Sequence, residues 1–131
     1  MVERTKRMEM LLGPEAMRRL GSARVAVVGL GGVGSWCAEA LARSGVGALV
    51  LIDSDEVAPS NINRQLGALH STVGRAKAEV LAARCRDIAP EAEIVPVRAL
   101  YSAGTRGEVF PDGSDYIADC IDLVSCKVDL I

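Results

Sequence analysis

The apolar positions change spacing along the chain, and each change predicts an element. "RVAVVGL", residues 24–30, is an almost unbroken apolar run of strand length, as expected of a strand buried on both faces. The spacing then widens. Val33, Trp36, Cys37, Ala40 and Leu41 fall at i, i+3, i+4, i+7 and i+8, which predicts one apolar face of a helix that Gly45 terminates. "ALVLI" returns to an unbroken run and predicts a second strand, ending at Asp53. After a polar loop, Ala78, Leu81, Ala82, Cys85 and Ile88 mark a second helical face, which Pro90 stops. "AEIVPV" predicts a third strand and "DYIADCID" a fourth, with "LVSCKVDLI" starting a further helix. Ahead of all these, Pro14 opens the short helix "PEAMRRL" and Gly21 closes it.

Strands alternating with helices predict the α/β class, a doubly wound, mostly parallel sheet with helices on both faces. Pro96 lacks an N–H donor and suits an edge strand, which places the third strand at the rim in the order 3-2-1-4. At 131 residues the chain is the size of one domain. We read residues 1–23 as a helical lead-in and 24–131 as a nucleotide-binding domain that is truncated, since the second half of a doubly wound sheet is missing.

Composition narrows this picture. Half of the residues are apolar but only 3% are aromatic, which suits parallel strands wrapped by close-packed helices and favours an ordered domain over disorder. A net charge of −2 excludes a uniformly basic nucleic-acid binder. The first 24 residues hold six Lys/Arg against three Asp/Glu, so any RNA contact would be local, and no DNA partner is expected. Cys37, Cys85, Cys120 and Cys126 stand singly, and no apolar stretch is long enough for a signal peptide or membrane helix. A reducing cytoplasm, with no membrane partner, is the expected location.

"GLGGVG", Gly29 to Gly34, lies between a strand and a helix, so Gly29, Gly31 and Gly34 occupy a G-x-G-x-x-G pattern in the context that gives it meaning. The first glycine turns the chain and the second lets backbone N–H groups approach a phosphate. The third allows the helix to sit close to the strand with its positive end aimed at the anion. Asp53 follows Gly34 by nineteen residues, the spacing at which an acid takes ribose hydroxyls. A Rossmann-like nucleotide site follows, with Gly29, Gly31, Gly32, Gly34, Asp53 and Asp55 as its first candidates.

"SNINRQ", residues 60–65, adds groups that a ribose does not need. Asn61, Arg64, Gln65 and Lys77 converge beyond the second strand, and two cations suit triphosphate or pyrophosphate charge. Adenylyl transfer from ATP demands them, because negative charge grows on the α-phosphate and on leaving pyrophosphate. Asp119 and Asp122, at the end of the fourth strand, supply a hard oxygen ligand for Mg²⁺.

"VAVVGLGGVGSWCAEALARSGVG", "LIDSDEVAPSNINRQ", "TVGRAKAEV" and "DCID" together resemble the ThiF/MoeB/HesA superfamily, relatives of ubiquitin-activating enzymes. "GVGSW", "AEALARSGVG", "NINRQ" and "RMEMLLGPEAM" are most similar to its branch that dehydrates threonylcarbamoyladenosine in tRNA. The resemblance covers almost the entire chain. It implies an ATP-dependent adenylating enzyme that activates a carboxylate as an acyl-adenylate. In this branch the carboxylate belongs to the threonylcarbamoyl group beside the anticodon, and loss of water closes a ring. The resemblance also implies roles: phosphate for the glycine loop, ribose for Asp53, phosphates for Asn61, Arg64 and Lys77, and Mg²⁺ for Asp122. Arg7 best matches an arginine that reaches the triphosphate from the neighbouring subunit of a homodimer, with Arg4 as rival. Arg64, Lys77, Asp122 and Arg7 thus form the candidate catalytic set. Family members continue well past the point where this chain ends, so it resembles an N-terminal half.

Three other readings stay open. In a sister branch the carboxylate is the C-terminal glycine of a ubiquitin-like sulfur carrier protein, and paired zinc cysteines would lie largely beyond residue 131. An NAD-dependent oxidoreductase would prefer NAD to ATP with Mg²⁺, and a non-catalytic nucleotide-binding module would turn over neither. Cys120 and Cys126 read as small core residues rather than nucleophiles. His70 reads as structural or exposed, Trp36 as core or dimer interface. Lys127 either reaches the phosphate region or lies on a helix surface.

Overall fold

The computed structural model describes residues 2–105, 113–122, 127–128 and 130–131. Four strands, β1 (Arg24–Val28), β2 (Ala48–Ile52), β3 (Glu93–Val97) and β4 (Tyr116–Asp119), form one parallel sheet in the order β3-β2-β1-β4. The expected order holds, with Pro96 on the edge strand paired to Leu51. In register, Val28 lies beside Ile52 and Asp119, and Ile52 beside Val97, so all four strands end together. The loops that leave them are brought to one rim, which is where a doubly wound sheet binds its ligand.

Helix α3 (Gly34–Ser44) connects β1 to β2 and α4 (Lys77–Ile88) connects β2 to β3. Both pack on the same face of the sheet, as right-handed crossovers in one direction require. There Val25, Val27, Leu49 and Leu51 meet Ala38, Ala42, Ala78, Leu81 and Cys85. On the other face Ala26, Val28, Val50 and Ile52 are covered by Tyr101, with Leu130 packed against them.

The expected face of α4 is buried, but the expected face of α3 is not. Val33 and Trp36 are 72% and 55% exposed, and Ala40 is exposed too, so Trp36 is not a core residue. The buried face carries Ser35, Ala38, Glu39 and Ala42. Small side chains let this helix press onto the sheet, where a large apolar face would hold it away. Glu39 is tolerated because Arg84 of α4 and Arg43 both pair with it. Burial works against the charged carboxylate, yet these two guanidiniums outweigh it and hold the Glu39 pKa below its ordinary value.

The lead-in contains a helix that periodicity does not mark, α1 (Lys6–Leu12), followed by α2 (Pro14–Ser22). Gly21 lies inside α2 rather than closing it, since the chain leaves the helix only at Ala23, in an extended conformation; the Gly21 carbonyl instead packs under Gly47, where a Cβ would stand 1.9 Å from that oxygen. Leu20 and Ala23 carbonyls accept the Gly47 and Ala48 N–H groups, and Arg4 pairs with Glu91 at 2.6 Å. The lead-in is thereby fastened to the N-terminal ends of the strands, opposite the rim just described. No helix among the described residues is long and apolar enough to cross a membrane. Lys127, Val128 and Leu130 are helical, while the rest of the helix expected there, from residue 123 to Cys126, lies outside the described residues.

Candidate active site

A cleft of about 590 Å³ opens at the C-terminal rim of the sheet. Gly29, Gly31, Gly32, Asp53, Asp55, Asn61, Arg64, Gln65, Lys77 and Asp122 all line it. The glycines are there for stated reasons. Gly29 has φ +93°, and a Cβ on it would meet the Cys120 carbonyl oxygen at 2.6 Å. Gly34 lies beneath the loop rather than in the cleft, and a Cβ there would meet the Gly29 oxygen at 1.6 Å. Asp53 anchors the loop: Oδ2 accepts the Leu30 N–H at 2.8 Å and Oδ1 the Asp55 N–H at 2.7 Å. Its remaining lone pairs are those available to a ribose hydroxyl.

The amide-rich segment folds on itself. Asn61 Oδ1 accepts the Ala58 N–H at 2.9 Å, and its backbone carbonyl accepts the Arg64 and Gln65 N–H groups at 3.2 and 2.9 Å. Arg64 Nη1 donates to the Ser60 carbonyl at 3.1 Å and to Asn63 Oδ1 at 3.0 Å, both neutral acceptors within its own loop. Gln65 is 8% exposed and its Nε2 lies 3.6 Å from where a Cβ on Gly31 would be.

Lys77 is the clearest sign of an anion. A strap of hydrogen bonds, Val57 N–H to the Arg75 carbonyl and Lys77 N–H to the Asp55 carbonyl, fixes it at the first position of α4. It is 7% exposed, and among the described residues its one ion pair is with Asp55 Oδ2 at 4.0 Å. A buried cation is costly, and more so at the positive end of a helix. Phosphate oxygens in the cleft would offset that cost.

Of the two acids at the end of β4, Asp119 is committed, since its Oδ1 accepts Lys127 Nζ at 3.0 Å and the Ile121 N–H at 3.2 Å. Lys127 therefore serves the end of β4. Asp122 is exposed and lines the cleft. Arg7 is not brought to this cleft: it is exposed on α1, at the far end of the sheet. His70 is exposed and not among the residues lining the cleft. Tyr101, 3% exposed, lines it as well, and its place in the loop after the third strand was the signal that could have found it.

Cys120 also lines the cleft, but burial first, then the neighbouring Cys37 thiol, push its pKa up to about 11. It is a protonated wall of the site, not a nucleophile. At pH 8 only about one thiol in a thousand would be ionised, so Cys120 is expected to resist iodoacetamide under native conditions and react once unfolded. Rapid native alkylation of Cys120, located by peptide mass, would contradict this assignment. Cys126 lies outside the described residues.

Comparison with known proteins agrees with this geometry. The model of the ThiF family matches residues 4–131. The chain is 44% identical over 131 residues to a tRNA threonylcarbamoyladenosine dehydratase of Bacillus subtilis, covering 100% of this chain and 52% of that protein. A SAMP-activating enzyme E1 of Haloferax volcanii is 42% identical over 85% of this chain and 41% of its own length. Among solved structures, E. coli tRNA N6-threonylcarbamoyladenosine dehydratase, TcdA, in complex with ATP superimposes with a TM-score of 0.95 at 44% identity. That match covers 98% of this chain and 53% of TcdA, and another structure of TcdA holds AMP. The chain spans about half the length of the curated relatives it matches.

Proposed function

Because the chain belongs to the ThiF family, we propose that it forms the ATP-binding part of a tRNA threonylcarbamoyladenosine dehydratase. The observation that carries the reading is Lys77, a buried cation facing the same cleft as Arg64 and the glycine loop. A dinucleotide oxidoreductase has no use for two cations at this point, whereas adenylation does. The substrate class rests on the relatives, which are named for it at 44% identity.

The chemistry is a displacement at phosphorus followed by one at carbon. A carboxylate oxygen of the threonylcarbamoyl group bonds to the α-phosphorus of ATP as the bond to pyrophosphate breaks. Lys77 and Arg64 stabilise the negative charge that builds on the α-phosphate and the departing pyrophosphate, and the glycine loop presents N–H donors to phosphate oxygens. A nucleophile within the same modified base then attacks the activated carbonyl. AMP leaves with the oxygen that would otherwise depart as water, and a ring closes.

Asp122 fits a Mg²⁺ site of the kind that relies on one carboxylate, the phosphates and water, and no cluster of three metal-ligating side chains exists among the described residues. When bound, the ion would supply further neutralisation of phosphate charge. Asp53 takes the ribose, and Asn61 and Gln65 orient the nucleotide with side-chain amide donors that make no hydrogen bond among the described residues.

The enzyme acts as a homodimer, in which the partner subunit's Arg7 reaches the triphosphate. Two features support this. Arg7 is exposed and makes no ion pair among the described residues, whereas its rival Arg4 is held by Glu91. Met10, Leu11 and Leu12, the last three residues of the same helix, are 81%, 79% and 46% exposed, an apolar helix end suited to burial against a second copy. The action on tRNA proposed here supports a cytoplasmic location.

The test is ATP–pyrophosphate exchange by the full-length protein, with Mg²⁺ and tRNA bearing threonylcarbamoyladenosine. Exchange that depends on the modified base is the expected result. Dependence on a carrier protein ending in Gly-Gly would move the chain to the branch represented by the SAMP-activating relative. Tight NAD binding without ATP binding would overturn adenylation altogether.

A further inference from the structure

Two consecutive residues of α3 hold the backbone that carries Arg64. Ser35 is completely buried, and its hydroxyl donates to the Gly31 carbonyl at 2.6 Å while accepting the Leu66 N–H at 3.1 Å. Trp36 Nε1 donates to the Arg64 carbonyl at 3.0 Å. The segment Arg64-Gln65-Leu66 is thus pinned at both ends to the first turn of the helix that follows the phosphate loop. The Arg64 stem runs beside Gly32 of the phosphate loop, 3.5 Å from where a Cβ at that position would stand.

Trp36 is otherwise hard to explain. It is the only tryptophan among the 131 residues, and it stands 55% exposed on the outer side of α3. Burial of its ring is not what the position provides, whereas a hydrogen bond from its indole is. The Arg64 guanidinium meanwhile rests on two neutral acceptors, Ser60 O and Asn63 Oδ1, which a triphosphate outcompetes.

We propose that Ser35 and Trp36 are positioning residues: they fix the Arg64 backbone against the phosphate loop so that its side chain alone swings from the loop to the nucleotide. This inference rests on the ATP site proposed above. It predicts that the indole acts through the Arg64 side chain, although the bond it makes is to the Arg64 backbone. A purely structural bond would be indifferent to that side chain.

The experiment is a double-mutant cycle of Trp36→Phe and Arg64→Ala in the full-length protein, read in ATP affinity by calorimetry and in exchange rate. Trp36→Phe is expected to weaken ATP binding about five-fold with Tm nearly unchanged, the scale of one lost hydrogen bond. In the Arg64→Ala background, where the carbonyl acceptor persists, the same change should alter affinity by less than about two-fold. Ser35→Ala, which shares the segment, should give the same dependence of affinity on the Arg64 side chain, together with a lower Tm because the Leu66 N–H loses its buried partner. Wild-type affinity in Trp36→Phe, or equal losses in both backgrounds, would overturn the proposal. Absence of exchange in wild-type protein that binds ATP would count against the dehydratase reading while leaving the cycle legible in affinity. Wild-type protein that binds no ATP would overturn both.

Discussion

Lys77→Ala is expected to slow adenylation by about 10²–10³-fold, the loss of about 2.7–4 kcal/mol of transition-state stabilisation seen when a pre-oriented electrostatic group is removed. The argument is one of sign as well as size. Lys77 is 7% exposed at the positive end of α4, and its partner Asp55 is 4.0 Å away on a largely exposed side chain. A cation so placed contributes little to folding, because taking it out of water costs more than one distant carboxylate returns. Its removal should therefore leave Tm within a few degrees of wild type, while the charge that grows on pyrophosphate loses its counterpart. Thermal unfolding and single-turnover exchange on the same sample separate the two effects. A variant that unfolds early would mean that Lys77 holds the fold, and one that exchanges at the wild-type rate would mean that it does not hold the phosphates.

Gly34→Ala should act in the opposite way, through the fold. The added methyl would stand 1.6 Å from the Gly29 carbonyl oxygen and 3.2 Å from Cys120 Cβ. The loop has nowhere to retreat, because Gly29 itself faces the Cys120 carbonyl at 2.6 Å from its own Cβ position. We expect a loss of more than about 3 kcal/mol in denaturant unfolding, beyond ordinary overpacking, together with loss of ATP binding. Gly32→Ala is the control. Its methyl would meet only the flexible Arg64 stem, at 3.5 Å, and should fold normally. Equal stability of the two variants would refute the claim that the third glycine exists for helix-to-strand approach.

That glycine was legible in the sequence because a backbone that must pass close leaves a residue-type signature. So were the strands, whose unbroken runs of Val, Leu and Ile reflect burial on both faces. The inner face of α3 was not. Ser35, Ala38 and Ala42 carry almost no hydrophobic signal, and Glu39 carries the wrong one, since the arginine that neutralises it arrives from position 84. Periodicity instead marked the outer face of Val33 and Trp36, which the sheet does not touch. In the cleft, residue identities were readable from "SNINRQ" onward, but their attachments were not. Nothing in the order of residues says that Asp53 holds Leu30, or that the Trp36 indole reaches the Arg64 carbonyl.

The sheet order also sets a timetable. β1 finds β2, and β2 finds β3, through helical crossovers, but the other neighbour of β1, β4, joins through the pairing of Val25 with Tyr116 across most of the chain. Loop closure of that length is the slow, late step of such a topology. Cys120, whose carbonyl forms the floor under Gly29, arrives only with β4. During synthesis, then, the glycine loop emerges early and waits without its floor. The cleft at the C-terminal rim is completed last, once β4 has paired with β1 and brought Cys120 beneath Gly29.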